Sequence, residues 1–408
     1  MTEAPPTKPR LWVVCEVYYP EKISTGYYLT SIAEGLTDGF DVKVLCGQPN
    51  YAARGTVAPK HEFRNGTEIF RAASTTLDKN VIVYRIVNML TLGASMFLKA
   101  LRHFRRGDRI LVVTAPPSLP HTIAPAALIR GASYVPLLHD CYPEQLIATR
   151  KARPGSLIVR INNVANRWLF KHASKLIVVG RDMKDLMEEK TASLDIPIDV
   201  IPNWADLEII HPSPREENTL RKELGIADKF VLMYAGNIGR PTDVETIVDA
   251  AEVLLEEPQF YFVFIGSGAK RKWLETQIRD RNLTNVTLLD VRPREDQIVF
   301  LNACDVALVT LVKGMWGAAM PSRTYNVLAA GKPIIALTEP GSELARVIDE
   351  EQVGWYVTPG ETDELVAAIR QASADRDRLN EIGKSAYSAA KAKYSRETAI
   401  ESYRNALK

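Results

Sequence analysis

Short apolar runs alternate with longer amphipathic stretches along the whole chain. Each run is nearly continuous in Val, Ile, Leu and Tyr, which is typical of strands buried on both faces of a parallel sheet. The predicted strands are Leu11–Tyr19, Asp41–Gly47, Arg109–Ala115, Tyr134–His139, Lys175–Gly180 and Ile198–Pro202 in the first half, and Phe230–Gly236, Tyr261–Gly266, Val286–Leu289, Val306–Leu311, Pro333–Leu337 and Gly354–Val357 in the second. The stretches between them predict helices, among them Tyr28–Thr37, Val244–Glu256, Arg271–Arg281, Glu295–Ala303 and Glu361–Ala372.

Strand–helix–strand alternation predicts an α/β protein with doubly wound parallel sheets, and the alternation occurs twice. The boundary falls near Asn203–Pro214, which is rich in Pro, Asp and Asn, and the pattern restarts at Phe230. We therefore predict two Rossmann-like domains, residues 1–205 and 206–386, that face a central cleft. The tail, residues 387–408, reads as a helix without a following strand and must pack on these domains.

Composition supports this assignment and excludes several classes of protein. Among 408 residues, 46% are hydrophobic and 25% charged, values typical of globular proteins and not of disordered or fibrous ones. Lys and Arg number 51 against 49 Asp and Glu, so no overall field attracts nucleic acid, and we expect no nucleic-acid partner. The N-terminus is polar and Pro-rich, which does not indicate a signal peptide, so a cytoplasmic location is expected.

The four cysteines lie far apart without a C-x-x-C pair, which argues against a zinc site or a disulfide framework. Buried free thiols are the simpler interpretation of Cys15, Cys46, Cys141 and Cys304.

Two stretches of the first half differ from ordinary Rossmann helices. Val81–Phe104 is apolar on most faces and ends in the basic cluster RHFRR, and Ser156–His172 mixes Arg and Lys with Leu, Ile, Trp and Phe. Polar interruptions in Val81–Phe104 argue against a membrane span and leave a core helix or an interfacial helix as alternatives. Together the two stretches favour peripheral contact with an anionic membrane, and a solvated basic face is the alternative.

Glycines and cations follow consecutive strands of the second half. The first strand there ends in Gly236-x-x-Gly239-Arg240, and the next leads to Gly268 with Lys270 and Arg271. Backbone amides of a glycine-lined turn and nearby cations can share the charge of a diphosphate. The first half has neither G-x-G-x-x-G nor a P-loop, and offers only Ser24-Thr25-Gly26 at a helix entry.

A glycine-rich loop then leads through Pro321 and Ser322 to Arg323 and a short helix. With these residues in view, the chain resembles a retaining, nucleotide-sugar-dependent glycosyltransferase of the GT-B fold, family four (group 1), in the branch of bacterial surface-polysaccharide assembly. The matching segments are YYPEKISTG, HDCYPE, VIPNWAD, YAGNIGR, IGSGAKRKWLE, ACDVAL and PSRTYNVLAAGKP.

The resemblance implies a donor bound to the C-terminal domain and an acceptor entering from the N-terminal domain, with the tail helix crossing back to the latter. It implies catalytic roles for His139, Asp140 and Glu144. The implied donor-binding residues are Thr25, Gly26, Gly236, Asn237, Arg240, Gly268, Lys270, Arg271, Arg292, Ser322, Arg323 and Asn326.

Four positions depart from the family pattern. Asn237 and Thr242 stand where an Arg and a Lys usually neutralise the diphosphate, and Ala318 and Asn326 replace two glutamates, the second of which normally binds ribose. Arg240, Arg271 and Arg323 are candidates to supply the missing charge.

We expect transfer of a hexose-type sugar from a nucleotide diphosphate sugar, by family frequency a UDP-sugar, to a glycan or polyprenyl-linked acceptor at the inner face of the plasma membrane. The sequence offers no Asp-x-Asp site for a divalent ion after any of the predicted strands, so we expect no metal and no further cofactor. No residue is an evident covalent nucleophile, which favours front-face displacement. A nucleotide-sugar 2-epimerase of the same fold and a catalytically silent binding module are the alternatives.

Overall fold

The computed structural model describes residues 8–21, 23–49, 57–77 and 82–408. The expectation that the N-terminus is not a signal peptide concerns a segment whose residues 1–7 lie outside the described residues. Val81, the first residue of the stretch Val81–Phe104, also lies outside them. The strands are β1 Arg10–Val14, β2 Asp41–Cys46, β3 His61–Arg64, β4 Thr67–Arg71, β5 Arg109–Val113, β6 Ser133–Leu138, β7 Leu176–Val178, β8 Ile198–Val200, β9 Phe230–Ala235, β10 Phe260–Ile265, β11 Val286–Leu289, β12 Val306–Thr310, β13 Ile334–Leu337 and β14 Gly354–Val357.

The helices are α1 Ser24–Gly35, α2 Ile82–His103, α3 Leu119–Ile129, α4 Glu144–Ala148, α5 Leu157–His172, α6 Arg181–Thr191, α7 Thr219–Glu223, α8 Glu245–Val253, α9 Arg271–Asp280, α10 Gln297–Ala303, α11 Arg323–Ala329, α12 Glu343–Glu351, α13 Thr362–Ala374, α14 Arg376–Lys393 and α15 Arg396–Ala406. Every strand expected from the apolar runs is present, because a parallel sheet covered by helices on both faces demands such runs.

The first sheet has the order β3-β4-β2-β1-β5-β6-β7-β8, and its strands are parallel except for the β3–β4 pair. This antiparallel hairpin extends the sheet edge and is absent from the expected strands. It turns at Asn65-Gly66, a dipeptide typical of two-residue hairpin turns. Its strands are short and half polar, as an exposed edge requires, so the apolar runs alone do not reveal them.

The second sheet has the order β11-β10-β9-β12-β13-β14 and is parallel throughout. The strand order reverses between β9 and β12, which pair only at Leu232 with Val306 and at Met233 with Ala307. A crevice opens at the carboxyl ends of the two central strands, where such sheets bind ligands. The GT-B architecture expected from the sequence is thus present, with the two sheets on either side of one cleft.

The segment between the sheets is held on the C-terminal domain by a buried ion network. Arg221 of α7 is 1% exposed and donates to Asp305 at 3.1 Å, and Arg215 and Arg376 donate to the other oxygen of this carboxylate. Asp305 also accepts from the Val231 N–H at 2.7 Å. A buried carboxylate is costly without such partners, so Asp305 keeps these contacts. Its bond to the Val231 N–H thereby fixes the start of β9.

The C-terminal tail is two helices, whereas the sequence predicts one over residues 387–408. The first of them, α14, packs on α11 in the C-terminal domain, and α15 packs on α1 in the N-terminal domain. Ser395 separates the two helices, because its side chain accepts a hydrogen bond from the Thr398 N–H at 3.2 Å and so caps the N-terminus of α15. The chain therefore crosses between the domains near Tyr394.

Within the described ranges, no helix has both the length and the apolar character needed to cross a membrane. The four cysteines are free and buried, as the sequence predicts.

Candidate functional site

A cavity of about 850 Å³ lies between the two sheets, at the carboxyl ends of their central strands. Both domains contribute to its wall, and the C-terminal domain supplies the ends of β9, β10 and β12. The predicted site residues that line it are Thr25, His139, Asp140, Gly236, Asn237, Arg292, Ser322, Arg323 and Asn326. Tertiary structure brings these residues together although they span 302 positions of the sequence.

The glycines on the C-terminal side permit backbone contact between neighbouring loops. A Cβ atom at Gly266 would lie 1.9 Å from the Gly236 carbonyl oxygen, and one at Gly268 would lie 2.3 Å from that of Ile238. Both glycines have positive φ, which side chains disfavour. Gly268 itself does not line the cavity; it allows the loop after β10 to pack under the loop after β9.

Arg323, at the start of α11, is the cation aimed at this cavity. Its guanidinium lies over the Tyr234 ring at 4.6 Å and against Gly236, where a Cβ would be 2.7 Å from Arg323 Cζ. The Nη1 atom is buried without a hydrogen-bond partner, and no carboxylate pairs with Arg323 in the part of the chain described. A buried donor without a partner is costly, so the guanidinium is suited to an anion that fills the cavity.

Three other cations that the sequence suggests for the donor lie outside the cavity. Lys270 donates to the Thr242 carbonyl at 2.7 Å and to Glu245 at 2.8 Å. Arg271 donates to the carbonyls of Gly266 and Leu289 and pairs with Glu275 and Asp290, which ties the ends of β10 and β11 together. Arg240 is exposed on the loop after β9. The charge of Lys270 and Arg271 is thus used within the fold.

His139 and Asp140 form the opposite wall, at the end of β6. Burial lowers the pKa of His139 to about 4, so its ring is neutral at pH 7, and Nε2 is buried without a partner. Burial also raises the pKa of Asp140 to about 6, although Gln145 donates to its carboxylate at 2.9 Å. A neutral imidazole and a desolvated carboxylate side by side can accept or orient hydroxyl groups.

Glu144 does not line the cavity, in contrast to the catalytic role that the resemblance implies. It begins α4 and pairs with Lys190 of α6. The next residue, Gln145, lines the cavity instead and contacts Asp140. Successive residues of a helix point about 100° apart, so a shift of one position decides which side chain faces the cleft.

Asn326 lines the cavity with both ends of its amide engaged. Its Oδ1 accepts from the Asp206 N–H and its Nδ2 donates to Gln297 Oε1, both at 3.0 Å. It therefore links α11 to the interdomain segment and to α10. Ala318, at the other position that usually holds a glutamate, is fully buried, and its carbonyl accepts from the Cys141 N–H at 2.7 Å.

The start of α1 brings the N-terminal domain to the mouth of the cavity. Thr25 lines the cavity, and Ser24 Oγ lies 2.9 Å from Ser322 Oγ across the cleft. Gly26 is buried against the preceding loop rather than in the wall, because a Cβ there would lie 2.7 Å from the Glu21 carbonyl oxygen.

Arg294 and Gln297 belong to the wall but are missing from the sequence-based candidates. The Arg294 guanidinium lies 3.5 Å over the Tyr27 ring and pairs with buried Asp206 at 3.0 Å. The sequence signal for Arg294 is the second arginine of V-R-P-R after β11, whereas the predicted donor-binding residues include only the first, Arg292. Arg292 lines the cavity and contacts Glu223 at 3.4 Å.

A second set of contacts joins the domains beside the cavity. Arg181 of α6 donates to Glu343 at 2.9 Å and to Glu350 at 2.7 Å, both in α12. The neighbouring Asp182 accepts from the Gly317 N–H at 3.1 Å, and burial raises its pKa. These polar contacts hold the cleft in the arrangement described.

The wall is positive overall. Among the described lining residues, three arginines (Arg292, Arg294 and Arg323) stand against one carboxylate, Asp140. Two of the arginines already have acidic partners, which leaves Arg323 to meet an anionic ligand. The described residues contain no group of three His, Cys, Asp or Glu side chains placed to hold a metal ion; the expectation of metal independence stays a prediction.

Comparison with known proteins agrees with this geometry. Residues 25–204 match the family described as Glycosyl transferase 4-like domain, and residues 216–389 match Glycosyl transferases group 1. The chain is 30% identical over 361 residues to WbjE of Pseudomonas aeruginosa, named as a probable glycosyltransferase, covering 88% of each chain.

It is 24% identical to WcaI of Escherichia coli (strain K12), a glycosyl transferase assigned by name to colanic acid biosynthesis, covering 87% of this chain and 90% of that one. The fold superposes on Anabaena HepE in complex with UDP-glucose with a TM-score of 0.73, at 19% identity and over 98% and 99% of the two chains. The chain therefore belongs to the group 1 glycosyltransferases of GT-B fold and is a glycosyltransferase, as its motifs predict.

Proposed function

We propose that this enzyme moves a hexose-type sugar from a UDP-sugar to a glycan or polyprenyl-linked acceptor in bacterial surface-polysaccharide assembly, with retention of anomeric configuration. The observation that carries the proposal is the Arg323 guanidinium between glycine-lined loops in the interdomain cavity, because its Nη1 is buried without a hydrogen-bond partner among the described residues. The complex of HepE with UDP-glucose and the naming of WcaI for colanic acid biosynthesis support the donor and the pathway.

On the donor side, the diphosphate lies against Arg323 and the loops that begin at Gly236 and Gly266. When the bond between the anomeric carbon and the β-phosphate oxygen breaks, negative charge builds on that oxygen. Arg323 is charged and held in place by Tyr234 and Gly236, so it stabilises this charge without reorganisation. The proposal needs no metal ion, because the guanidinium performs the electrostatic task.

On the acceptor side, His139 and Asp140 face the transferred sugar. The neutral imidazole of His139 is suited to hydrogen-bond a sugar hydroxyl, since its Nε2 has no partner among the residues that the structure describes. The Asp140 carboxylate, steadied by Gln145, favours the positive charge that develops at the anomeric carbon. Together these groups orient the sugar ring for attack by the acceptor.

Retention follows from front-face displacement in this proposal. The acceptor oxygen bonds to the anomeric carbon on the side from which UDP leaves, and its proton passes to the departing phosphate oxygen. A double displacement would need a carboxylate nucleophile, and Asp140 is the carboxylate among the described residues of the wall. Incubation with a 2-fluoro UDP-sugar followed by intact-protein mass spectrometry tests this route, and an adduct on Asp140 would replace front-face displacement.

The first test is thermal unfolding of the full chain with UDP, GDP, ADP and dTDP and with their common sugar conjugates. A ligand that binds only the folded state raises the melting temperature, so stabilisation by UDP and UDP-sugars alone is expected. Stabilisation by another nucleotide would correct the donor. No stabilisation by any of them at millimolar concentration would favour a catalytically silent module.

The second test incubates the enzyme and the donor with lipid-linked sugar acceptors and assigns the product anomer by NMR. We expect transfer with the donor's anomeric configuration. In the cell we place the enzyme at the cytoplasmic side of the plasma membrane. An inverted linkage would contradict the proposed mechanism. Isomerisation of the nucleotide sugar without an acceptor would identify a 2-epimerase instead.

A further inference from the structure

Helix α5 presents an apolar stripe to solvent rather than to the core. Leu157, Ile161, Val164 and Trp168 recur at helical spacing and are 73%, 58%, 71% and 40% exposed. The opposite side of the helix packs on the domain through Val159, Asn166, Leu169 and Phe170. An amphipathic helix on a soluble protein usually turns its polar side outward, whereas this apolar stripe is covered by none of the residues that the structure describes.

Helix α2 repeats the arrangement. Its outward side carries Val83, Ile86, Leu90 and Leu98, which are between 47% and 65% exposed, whereas Leu92, Met96 and Ala100 face the core. Because exposed and buried positions each recur at helical spacing along α2, the outward stripe extends over most of its length.

The two stripes lie on one surface of the N-terminal domain. The strand order β1-β5-β6-β7 and right-handed crossovers place α2, α3 and α5 on the same side of the sheet. Helix α3 packs against both α2 and α5, and its last residues, Leu128 and Ile129, are 40% and 67% exposed. We call the exposed apolar residues of α2, α3 and α5 the outer apolar face. Contiguous patches of this kind mark interaction surfaces.

Positive charge is concentrated in the part of the chain that carries the outer apolar face. Residues 81–180 contain fourteen Lys and Arg against three Asp and Glu, in a chain that is nearly balanced overall. On α5, Arg160, Arg167 and Lys171 lie along one edge of the stripe, and neither α2 nor α5 contains an acidic residue. An apolar surface bordered by cations is complementary to an anionic bilayer, with acyl chains below and lipid phosphates at the rim.

A basic pocket of about 430 Å³ lies at the end of the α2 stripe. Lys60, Lys99 and Arg102 line it together with Leu98, which also belongs to the outer apolar face. Burial, with the positive charge of Lys99 and Arg102, lowers the pKa of His103 in the same wall. No ion pair holds these three cations in the described part of the chain. A lipid phosphate would relieve this concentration of like charge.

We propose that the outer apolar face docks on an anionic phospholipid bilayer, with the pocket of Lys60, Lys99 and Arg102 receiving a lipid phosphate. The proposal rests on the proposed function in one respect: a polyprenyl-linked acceptor would reach the cleft from that bilayer. A second copy of the chain is a poorer occupant, since a two-fold contact would face two basic surfaces against each other. A nucleic acid would match the cations but not the exposed Leu and Ile side chains.

The test is flotation of the full chain with phosphatidylcholine vesicles, with and without phosphatidylglycerol. Binding to the anionic vesicles that falls with added salt is expected.

Leu157→Ser/Ile161→Ser removes two exposed apolar side chains and is expected to weaken binding about a hundredfold. Arg160→Glu/Arg167→Glu is expected to weaken it at least about tenfold. Matched controls in the C-terminal domain are Val253→Ser and Arg378→Glu/Lys384→Glu, which should bind as the wild type does.

Two results would overturn the docking proposal: no binding of the wild-type chain to anionic vesicles, or unchanged binding of the α5 variants. A concentration-dependent dimer that both α5 variants abolish would assign the face to a second copy instead. UDP binding by calorimetry is measured on the same samples. A variant that still binds UDP but no longer binds vesicles has an intact fold. If the wild-type chain binds vesicles but not UDP, the proposed function is contradicted and the docking surface is not.

Discussion

The two walls of the cleft are built from different chemistry. The C-terminal wall consists of loops in backbone contact at Gly236 and Gly266 and of Arg323, whose Nη1 is buried without a hydrogen-bond partner among the described residues. The N-terminal wall presents His139 and Asp140, whose pKa values burial moves to about 4 and about 6. The first wall offers a cation to an anionic ligand, whereas the second contains two groups that are sensitive to proton concentration. Under the proposed function, binding and chemistry are thus divided between the domains.

The largest effect is expected from Arg323→Met, which removes the unpaired cation of the C-terminal wall. The charge on the leaving phosphate would lose its preorganised donor, so kcat/KM should fall by roughly 10²–10³. Arg279→Met, at an exposed position of α9, is the matched control and should leave kcat/KM unchanged. Steady-state kinetics with the nucleotide sugar that stabilises the chain against thermal unfolding check the pair. Equal losses in both variants would mean that overall positive charge matters and the position of Arg323 does not.

His139→Ala tests the N-terminal wall in the complementary way. It removes a group expected to contact the sugar and not the diphosphate, so kcat should fall by roughly 10² while UDP affinity changes little. Kinetics and calorimetry with UDP measure the two quantities separately. A parallel loss of UDP affinity would place His139 at the nucleotide and would erase the proposed division between the walls.

Gly236→Ala tests whether the missing side chain at Gly236 positions the Arg323 guanidinium in the C-terminal wall. The new Cβ would lie 2.7 Å from Arg323 Cζ, so the guanidinium must shift, and we expect about tenfold weaker UDP binding. Gly360→Ala is the control, because its φ is also positive but no atom lies within 4 Å of the added Cβ. Calorimetry distinguishes them. Similar losses of affinity would point to backbone strain rather than to displacement of Arg323.

The pH dependence of stability should separate the two titrating groups. Asp140 has a raised pKa, so its contribution is present below pH 3.8 and is lost as pH rises through about 6. His139 has a lowered pKa, so its contribution is present above pH 6.5 and is lost as pH falls through about 4. Asp140→Asn should therefore lose stability more steeply than the wild type between pH 6.5 and 4, and His139→Gln less steeply.

A shift of one pKa unit corresponds to roughly 1.4 kcal/mol, so differences of about 1–3 kcal/mol are expected across this pH range. Urea unfolding at several pH values measures them. Parallel stability curves for the three proteins would show that the two groups titrate at their ordinary pKa values.

The smallest effect is expected from Arg181→Ala, which breaks ion pairs that join the walls without touching the cavity. Partly exposed ion pairs contribute little, so we expect a change in KM of only about two- to fivefold and a more open average shape. Small-angle scattering with and without UDP measures the shape. Lys184→Ala, in an ion pair within α6, is the control. An unchanged scattering profile would assign the closed arrangement to the backbone contacts near Ala318.

The sequence predicts the sheets well because their strands are long apolar runs, and it predicts the glycine-lined loops because they follow those strands directly. It is less informative where side-chain direction matters. Lys270 and Arg271 follow a strand as a donor site requires, yet their charges meet Glu245 and Asp290. Glu144 and Gln145 are adjacent, and only the orientation of α4 shows that Gln145 reaches Asp140.

Two local signals were present in the sequence but are weaker than the apolar pattern. The Asn65-Gly66 turn marks the β3–β4 hairpin, whose strands alternate polar and apolar residues at a sheet edge. Ser395 marks the start of α15, because its hydroxyl accepts a hydrogen bond from the backbone N–H of Thr398, three residues later. Each depends on a few atoms, so each is easily missed beside runs of five or six apolar residues.

What the sequence determines by itself is the order of strands and helices, the presence of two domains and the family, because hydrophobic periodicity and short motifs are local properties of the chain. Tertiary structure alone decides that Arg323 meets no acidic partner among the described residues, that His139 and Asp140 are desolvated and that no described segment covers the outer apolar face. These properties depend on which surfaces meet when distant segments pack, and that is settled by the shape of the whole molecule.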